Sequence, residues 1–371
     1  MMKIVVLGGG IAGLCMGIYL QQNHIEVSVN ERQIYSAIGG HAFLMHHDGI
    51  SVLKEVAGGT KCMIPGKPVD TFIFRKPNGE LVMEVKLDDW HCFKRTELLT
   101  CLTELFPAQY LHNERVFSHF VYEQGKIVAA AFKNGELEYG DVFIGADGAN
   151  SAVRREIFGE VEFMPGKVKE LVGIVTHPEL AKSSQGRFTK FQYGHQGLSC
   201  GFIATSDTEL VWFMQYDPLL ADVPEGSDAR NHSEYPELLR TLCAKLLKDF
   251  PPEIQGILAL NDFTTSYIWN TRDFDLLPAF HHQNVVLIGD AAHVALPFTS
   301  AGTTNAMMDA KVLSECLLLY PDIIHAFEEY YLRRAISVAE HVKLGRNLRD
   351  AFLDPLAAAR VPLISNTAEM N

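Results

Sequence analysis

No stretch of this 371-residue chain holds the run of about 18 apolar residues that a membrane-spanning helix needs. The apolar run after Lys3 ends too soon, at glycines, to be the core of a signal peptide. Cysteines are few and scattered: Cys15, Cys62, Cys92, Cys101, Cys200, Cys243 and Cys316 are odd in number and include no C-x-x-C. Neither a disulfide framework nor a zinc site is indicated, and a reducing cytoplasm suits such thiols. Metal ligation also lacks its pattern, because His46-His47 and His281-His282 have no H-E-x-x-H spacing and no acids at metal-site spacing. Positive charge is in deficit, with 32 Lys and Arg against 45 Asp and Glu and a formal net charge of -13. That balance argues against nucleic acid or an anionic membrane as the main partner. Repeats and low-complexity segments are missing too. What remains is a chain long enough for about two domains sharing a large buried core.

The opening stretch organises the rest. Lys3 to Leu7 is a short apolar strand, Gly8, Gly10 and Gly13 form G-x-G-x-x-G, Ile11 to Gln22 reads as a helix, and Ile25 to Val29 is strand-like before Glu31. The first glycine makes a tight turn, the second admits a pyrophosphate to the backbone, and the third lets helix and strand pack closely. The helix N-terminus then faces the phosphates. Glu31 is placed to accept hydrogen bonds from a ribose diol, which disfavours a 2′-phosphorylated ribose.

Further along, the pattern predicts a strand over Ala42 to Met45, a helix from Ile50 to Val56, and a hairpin over 69 to 87 turning at Pro77-Asn78-Gly79. A helix follows Thr96, read as its cap, with leucines at 98, 99, 102 and 105 on one face. Strands fill Tyr110 to Phe143. From Leu171 to Tyr216 the chain is β-rich and aromatic, and Tyr193, His195, Trp212 and Tyr216 are candidates for a cavity wall, with ordinary packing as the alternative. Ala221 to Glu234 reads as an exposed loop and Pro236 to Phe250 as a helix. Val285 to Ile288 is a buried strand, and Thr304 to Leu319 and Asp322 to Phe352 read as helices.

Three motifs recur in one order. Behind the N-terminal glycines come Arg95 to Leu99, then Gly145-Ala-Asp-Gly-Ala-Asn-Ser151-Ala-Val-Arg154, then Gly289-Asp-Ala-Ala-His293 with Pro297, Gly302 and Asp309. Together they resemble the single-component FAD-dependent aromatic monooxygenases of the p-hydroxybenzoate hydroxylase fold, over about residues 3 to 350. The resemblance implies an α/β fold: a Rossmann-like FAD-binding domain from 1–70, 91–165 and 280–320, interleaved with a β-sheet substrate domain from 71–90 and 166–279. Residues 321–371 form a C-terminal helical segment. It also implies that Gly8, Gly10, Ile11, Ala12, Gly13, Glu31, Arg32, Arg95, Val116, Asp147, Asp290, Pro297, Gly302, Thr303 and Thr304 contact FAD. In that scheme Asp290 accepts from the ribityl chain, and Gly302 to Thr304 offer backbone N–H groups to the flavin. Arg95 serves the pyrophosphate. Asp147 and Arg154 serve FAD and the approach of NAD(P)H, Asp147 also being placed to cap the helix near Ser151. Two positions depart from the family pattern. Ser300-Ala301 stands where Gly-Gln is usual, and Met308 replaces the acid before Asp309.

In such enzymes NAD(P)H reduces FAD, dioxygen adds to give a flavin hydroperoxide, and one oxygen atom passes to a small aromatic or polycyclic substrate. No catalytic side chain is singled out, and His293 reads as a structural hydrogen-bonding residue. A second G-x-G-x-x-G is missing, so NAD(P)H is expected to bind transiently. Alternatives on the same fold are a flavin halogenase or reductase, whose tryptophan- and tyrosine-rich signatures do not occur here. A non-catalytic FAD-binding protein is the other alternative.

Overall fold

The computed structural model describes residues 2–34, 41–58, 65–193, 197–221 and 235–354. Cys62, His195, all but the first residue of the 221–234 loop, and the end of the C-terminal segment lie outside the described residues. The chain opens with β1 (Lys3–Leu7), α1 (Ile11–Gln22) and β2 (Glu26–Asn30), then β3 (Ala42–Met45), α2 (His47–Val56), β4 (Lys67–Arg75) and β5 (Leu81–Lys94). Next, α3 (Arg95–Leu105) leads through β6 (Leu111–His112) to the meander β7 (Phe117–Glu123), β8 (Lys126–Phe132) and β9 (Leu137–Tyr139). After β10 (Val142–Gly145) and α4 (Ala152–Phe158) come β11 (Val168–Thr176), α5 (Pro178–Ser183), β12 (Gly186–Gln192), β13 (Leu198–Ala204) and β14 (Glu209–Tyr216). The chain continues through α6 (Tyr235–Leu246), α7 (Pro252–Leu260), β15 (Tyr267–Thr271), β16 (His281–His282) and β17 (Val285–Leu287) to α8 (Gly302–Leu319) and α9 (Ile323–Leu353).

Two large sheets result. A six-stranded sheet runs β16-β17-β10-β1-β2-β6. Its centre is parallel, with Leu7 beside Gly145 on one side and Asn30 on the other. Buried on both faces, β1 is apolar from Ile4 to Leu7, as a central parallel strand must be. Helices α1 and α8 pack on it, and their apolar residues join those of β1, β10 and β17 in one core. The three-stranded meander docks against the same sheet, Phe120 meeting Phe143 edge to face at 5.3 Å.

The eight-stranded sheet runs β15-β11-β14-β13-β12-β4-β5-β3 and takes strands from both halves of the chain. Strand alternation splits its side chains between two faces. On one, Leu171, Phe191, Trp212, Met214 and Tyr216 pack under α6 and α7. On the other, Phe72, Phe74, Trp90, Val172 and Val211 form a second cluster, with Phe188 and Phe213 packed against it.

The predicted elements differ from the observed ones in several places. Helix α3 starts at Arg95, whose N–H donates to the His41 carbonyl at 2.8 Å. Lys94 is therefore its N-cap, and Thr96 lies inside the first turn. Helices α5 and α7 were not anticipated, although a proline in the first turn marks the start of each. Tyr193, Trp212 and Tyr216 belong to the helix-packed face: Trp212 is fully buried and donates its indole N–H to Asn261 Oδ1 at 2.8 Å, and Tyr193 meets Phe250. They are packing residues, not cavity wall.

Candidate active site

The glycines after β1 divide their work. Gly8 has φ +117, and a Cβ there would lie 2.3 Å from the Ala146 carbonyl oxygen. A Cβ on Gly13 would lie 1.9 Å from the Gly8 carbonyl oxygen. Both are demanded by the close approach of helix, turn and neighbouring strand. Gly10 differs, since a Cβ on it meets nothing within 4 Å. It is the N-cap of α1 and brings no side-chain hydrogen bond, which leaves the first N–H groups of that helix without a cap from that residue. A helix end of that kind favours an anion.

Glu31 closes the turn from the side. Only 8% exposed, it accepts from the Gly9 N–H at 2.8 Å through Oε2 and from the Gln33 N–H at 2.9 Å through Oε1. Its own backbone joins β6, and its carbonyl accepts from Arg115 N–H, one residue before Val116. A carboxylate offers about four acceptor positions, so two remain for hydroxyl groups. Arg32 lies next to it and is exposed.

The motif after β17 meets the glycine turn from the other side. Gly289 has φ +58, and a Cβ there would touch Ala12 of α1 and Ala306 of α8 at 3.1 and 3.3 Å. The two helix starts converge on this residue. Asp290 comes next, its side chain exposed. Its surroundings push its carboxyl above the ordinary range, while the charges of His293, Arg95 and Arg154 pull it back. Helix α8 begins with Ala301 as an N-cap that makes no side-chain hydrogen bond, and a Cβ on Gly302 also meets open space. Pro297 is exposed and Thr303 half-buried, whereas Thr304 is buried, its hydroxyl accepting from the His46 N–H at 3.4 Å.

Asp147 sits at the tip of β10. Its carboxylate accepts from the N–H groups of Ala152 and Val153 at 2.7 and 3.2 Å and from the Ser151 hydroxyl, so it holds the start of α4. Arg154 is 4% exposed and donates to the carbonyls of Ala149, Asp290 and Ala291. Its guanidinium lies 4.7 Å from the Phe274 ring centre. Through it the second motif holds the third in place.

Behind Asp290 lies a buried ionic network. Asp309 accepts from the Gly289 N–H, from His293 Nε2 and from Arg334 Nε at 2.8, 2.7 and 2.7 Å. Burial alone would raise its carboxyl, but His293 and Arg334 outweigh it and hold it at about 2. Arg334 also reaches Asn305, which donates to His341. Arg334 escaped the sequence reading. Its signal was a charge inside the buried stripe of α9, between Tyr330 and Val338. His293 is 4% exposed and takes part in this network through its bond to Asp309. Among the described residues, no group of His, Cys, Asp or Glu could hold a metal ion.

A parallel nucleotide-type sheet with a Gly-lined helix end, an acid at the tip of its second strand and a second sheet beside it defines a dinucleotide-cofactor-binding α/β protein. The family model described as "FAD binding domain" matches residues 1–320, and the chain belongs to that family. It is similar to 3-amino-4-hydroxybenzoate 2-monooxygenase of Streptomyces cremeus, at 25% identity over 94% of this chain and 87% of that protein. It is also similar to the FAD-dependent urate hydroxylase of Klebsiella pneumoniae subsp. pneumoniae, at 25% identity over 94% of this chain and 90% of that one. Among solved structures, Klebsiella pneumoniae HpxO complexed with FAD and uric acid superposes with a TM-score of 0.85, at 23% identity over 96% of this chain and 90% of that chain. The fold is therefore that of the FAD-dependent monooxygenases, and FAD is the cofactor. The residues present fit it: open space at Gly10 and Gly302, two helix ends without a side-chain cap, spare acceptor positions on Glu31 and the exposed Asp290 beside them.

Proposed function

We propose that this chain is an FAD-dependent NAD(P)H monooxygenase that hydroxylates a small aromatic or polycyclic molecule. The observation that carries this reading is the convergence of α1 and α8 on Gly289, beside Asp290, with Phe298 of the loop into α8 lying 5.9 Å from Lys190 on the aromatic face of the second sheet. Bound FAD, once reduced by NAD(P)H, activates dioxygen so that one oxygen atom reaches an electron-rich ring. The chain's part is to bind, to orient and to exclude water. Gly8, Gly10, Ile11, Ala12, Gly13, Glu31, Arg32, Arg95 and Val116 are assigned to the nucleotide end of the cofactor. Asp290, Pro297, Gly302, Thr303 and Thr304 are assigned to the ribityl and ring end. Asp147 stands behind them as the cap that fixes Arg154.

The relatives' names support an aromatic substrate, since they include an aminohydroxybenzoate monooxygenase, a urate hydroxylase and a kynurenine 3-monooxygenase. Among the described residues no helix is long and apolar enough to cross a membrane, in keeping with a cytoplasmic enzyme. The test is the visible spectrum of the purified protein, followed in air while NADH or NADPH is added with and without a panel of phenols and heteroaromatics. A yellow protein whose NAD(P)H oxidation accelerates with one compound, giving a product heavier by one oxygen atom, supports the reading. A flavoprotein that no compound stimulates would favour the reductase or the non-catalytic alternative. A chain that takes up no FAD would end it.

A further inference from the structure

One charged residue on the eight-stranded sheet is not among those assigned to FAD. Lys190, on β12, shares a face of the sheet with Phe188, Phe213 and Phe72, whose rings lie 4.8 to 5.7 Å apart in a row. Beyond its ammonium group lie Phe298, one residue after Pro297, and Phe352 of α9, with ring centres 5.9 and 5.8 Å from Nζ. Lys190 thus looks from the aromatic sheet toward the loop that leads into α8. It is half-buried, and packed closely enough for its charge to be strongly desolvated.

Among the described residues the ammonium group makes a single hydrogen bond. It donates to Gln215 Oε1 at 3.0 Å, an oxygen that also accepts from Ser199. The other end of the same amide donates to Glu170 at 2.7 Å, so the amide orientation is fixed by a donor on one side and an acceptor on the other. Glu170, Gln215 and Ser199 stand in one cross-strand row. Among the described residues no carboxylate comes within ion-pair distance of Lys190, and Glu170 acts on it only through the bridging amide. A deep cation whose direct partner is a neutral amide is costly unless something else supplies an anion.

We propose that Lys190, held by Gln215 and Glu170, selects a substrate whose flat aromatic ring carries a carboxylate. The ring would lie along Phe188 and Phe213, and the carboxylate would take the ammonium's spare N–H donors. The proposal rests on the function proposed above and names the substrate class of that site.

The test uses FAD-loaded protein and calorimetric titration with benzoate and salicylate against their neutral counterparts benzamide and salicylamide. The wild type should bind the acids about tenfold or more tightly than the amides, the value of one charge-assisted hydrogen bond. Lys190→Met should remove that preference while leaving amide affinity within about twofold, and Lys190→Arg should keep it. Burial lowers the lysine to about 8, with Glu170 the charged group that opposes the shift; Gln215, Ser199, Phe298 and Phe352 are uncharged. Acid affinity in the wild type should therefore fall as the pH rises past about 8, whereas in Lys190→Arg it should stay level. Equal affinity for acid and amide, no binding of either acid, a preference that survives Lys190→Met, or loss of FAD from both variants would each overturn the proposal. A wild-type chain that takes up no FAD would instead end the function proposed above.

Discussion

The six-stranded sheet and the eight-stranded sheet prepare for their ligands by different means. Around the first, backbone does most of the work: Gly10 and Gly302 leave room, two helix starts present N–H groups, and Glu31 is pinned by main-chain donors. On the second, side chains do it, through the ring row of Phe72, Phe188 and Phe213 and the chain from Glu170 through Gln215 to Lys190. A backbone site needs particular residues only where space or φ demands them, and those demands are local. A side-chain site depends on which strands end up adjacent.

The ionic network behind Asp290 offers the sharpest way to break the first kind of site. Asp309→Asn removes the charge that Arg334 and His293 share in a buried setting, and should cost about 3–5 kcal/mol in denaturant unfolding. The acid limb of stability gives an independent check. Because the Asp309 carboxyl lies below its unfolded value, at about 2, its contribution is complete above pH ~4 and fades as pH falls toward 2. The variant should lack that part of the acid dependence.

A smaller effect separates space-demanding glycines from ligand-demanding ones. Gly13→Ala forces a Cβ onto the Gly8 carbonyl and should destabilise the apoprotein by about 3 kcal/mol. Gly10→Val has nothing to collide with in the protein, so apoprotein unfolding should change by less than about 1 kcal/mol. FAD titration should show the reverse order of severity for the two variants once the fold is intact, with Gly10→Val losing most of its affinity. A Gly10→Val protein that bound FAD normally would remove α1 from the cofactor site.

This division also explains what could be read from the sequence. The β1–α1–β2 unit was legible because its glycines and Glu31 act within about thirty residues through local backbone geometry. Gly289-Asp290 was legible only through its resemblance to a family motif. Arg334 was not matched to Asp309, because the two sit on different helices and only helix packing brings them together. Lys190 carried no signal at all: Phe188, Lys190 and Gln192 alternate with Thr189 and Phe191 as on any strand, and Gln215 and Glu170 are reached through two further strands. Alternation showed that β14 has two faces but not which one α6 and α7 would cover. Trp212 and Tyr216, the more conspicuous residues, went to the helices.

That last point can be tested on adjacent residues. Trp212→Phe should cost about 2–3 kcal/mol, by shrinking a buried ring and leaving the Asn261 acceptor unpaired, without altering ligand binding. Phe213→Leu conserves apolar volume and should cost less than about 1.5 kcal/mol. It should nevertheless weaken an aromatic ligand by about 3- to 10-fold, the worth of one ring contact. If both substitutions acted on stability alone, the assignment of the two faces would be wrong.

The smallest expected effect concerns the loop that joins the two sheets' sites. Ser300 is in the left-handed region at φ +53, immediately before α8, where the family pattern has glycine. A side chain in that conformation costs about 1–2 kcal/mol, which glycine avoids. Glycine in turn loses about 0.5–1 kcal/mol more backbone entropy on folding. No side-chain hydrogen bond holds Ser300 among the described residues, and its N–H, donated to the Pro297 carbonyl at 3.1 Å, would survive the change. Ser300→Gly should therefore stabilise the protein by about 0.5 kcal/mol, close to the limit of a denaturant measurement. Its larger consequence should be kinetic, since the turn carries Phe298 and the start of α8 toward the cleft. A glycine frees ψ and φ there, so ligand-induced changes in the flavin spectrum should become faster at nearly unchanged stability. A marked loss of stability would mean that the serine is held by something other than its backbone.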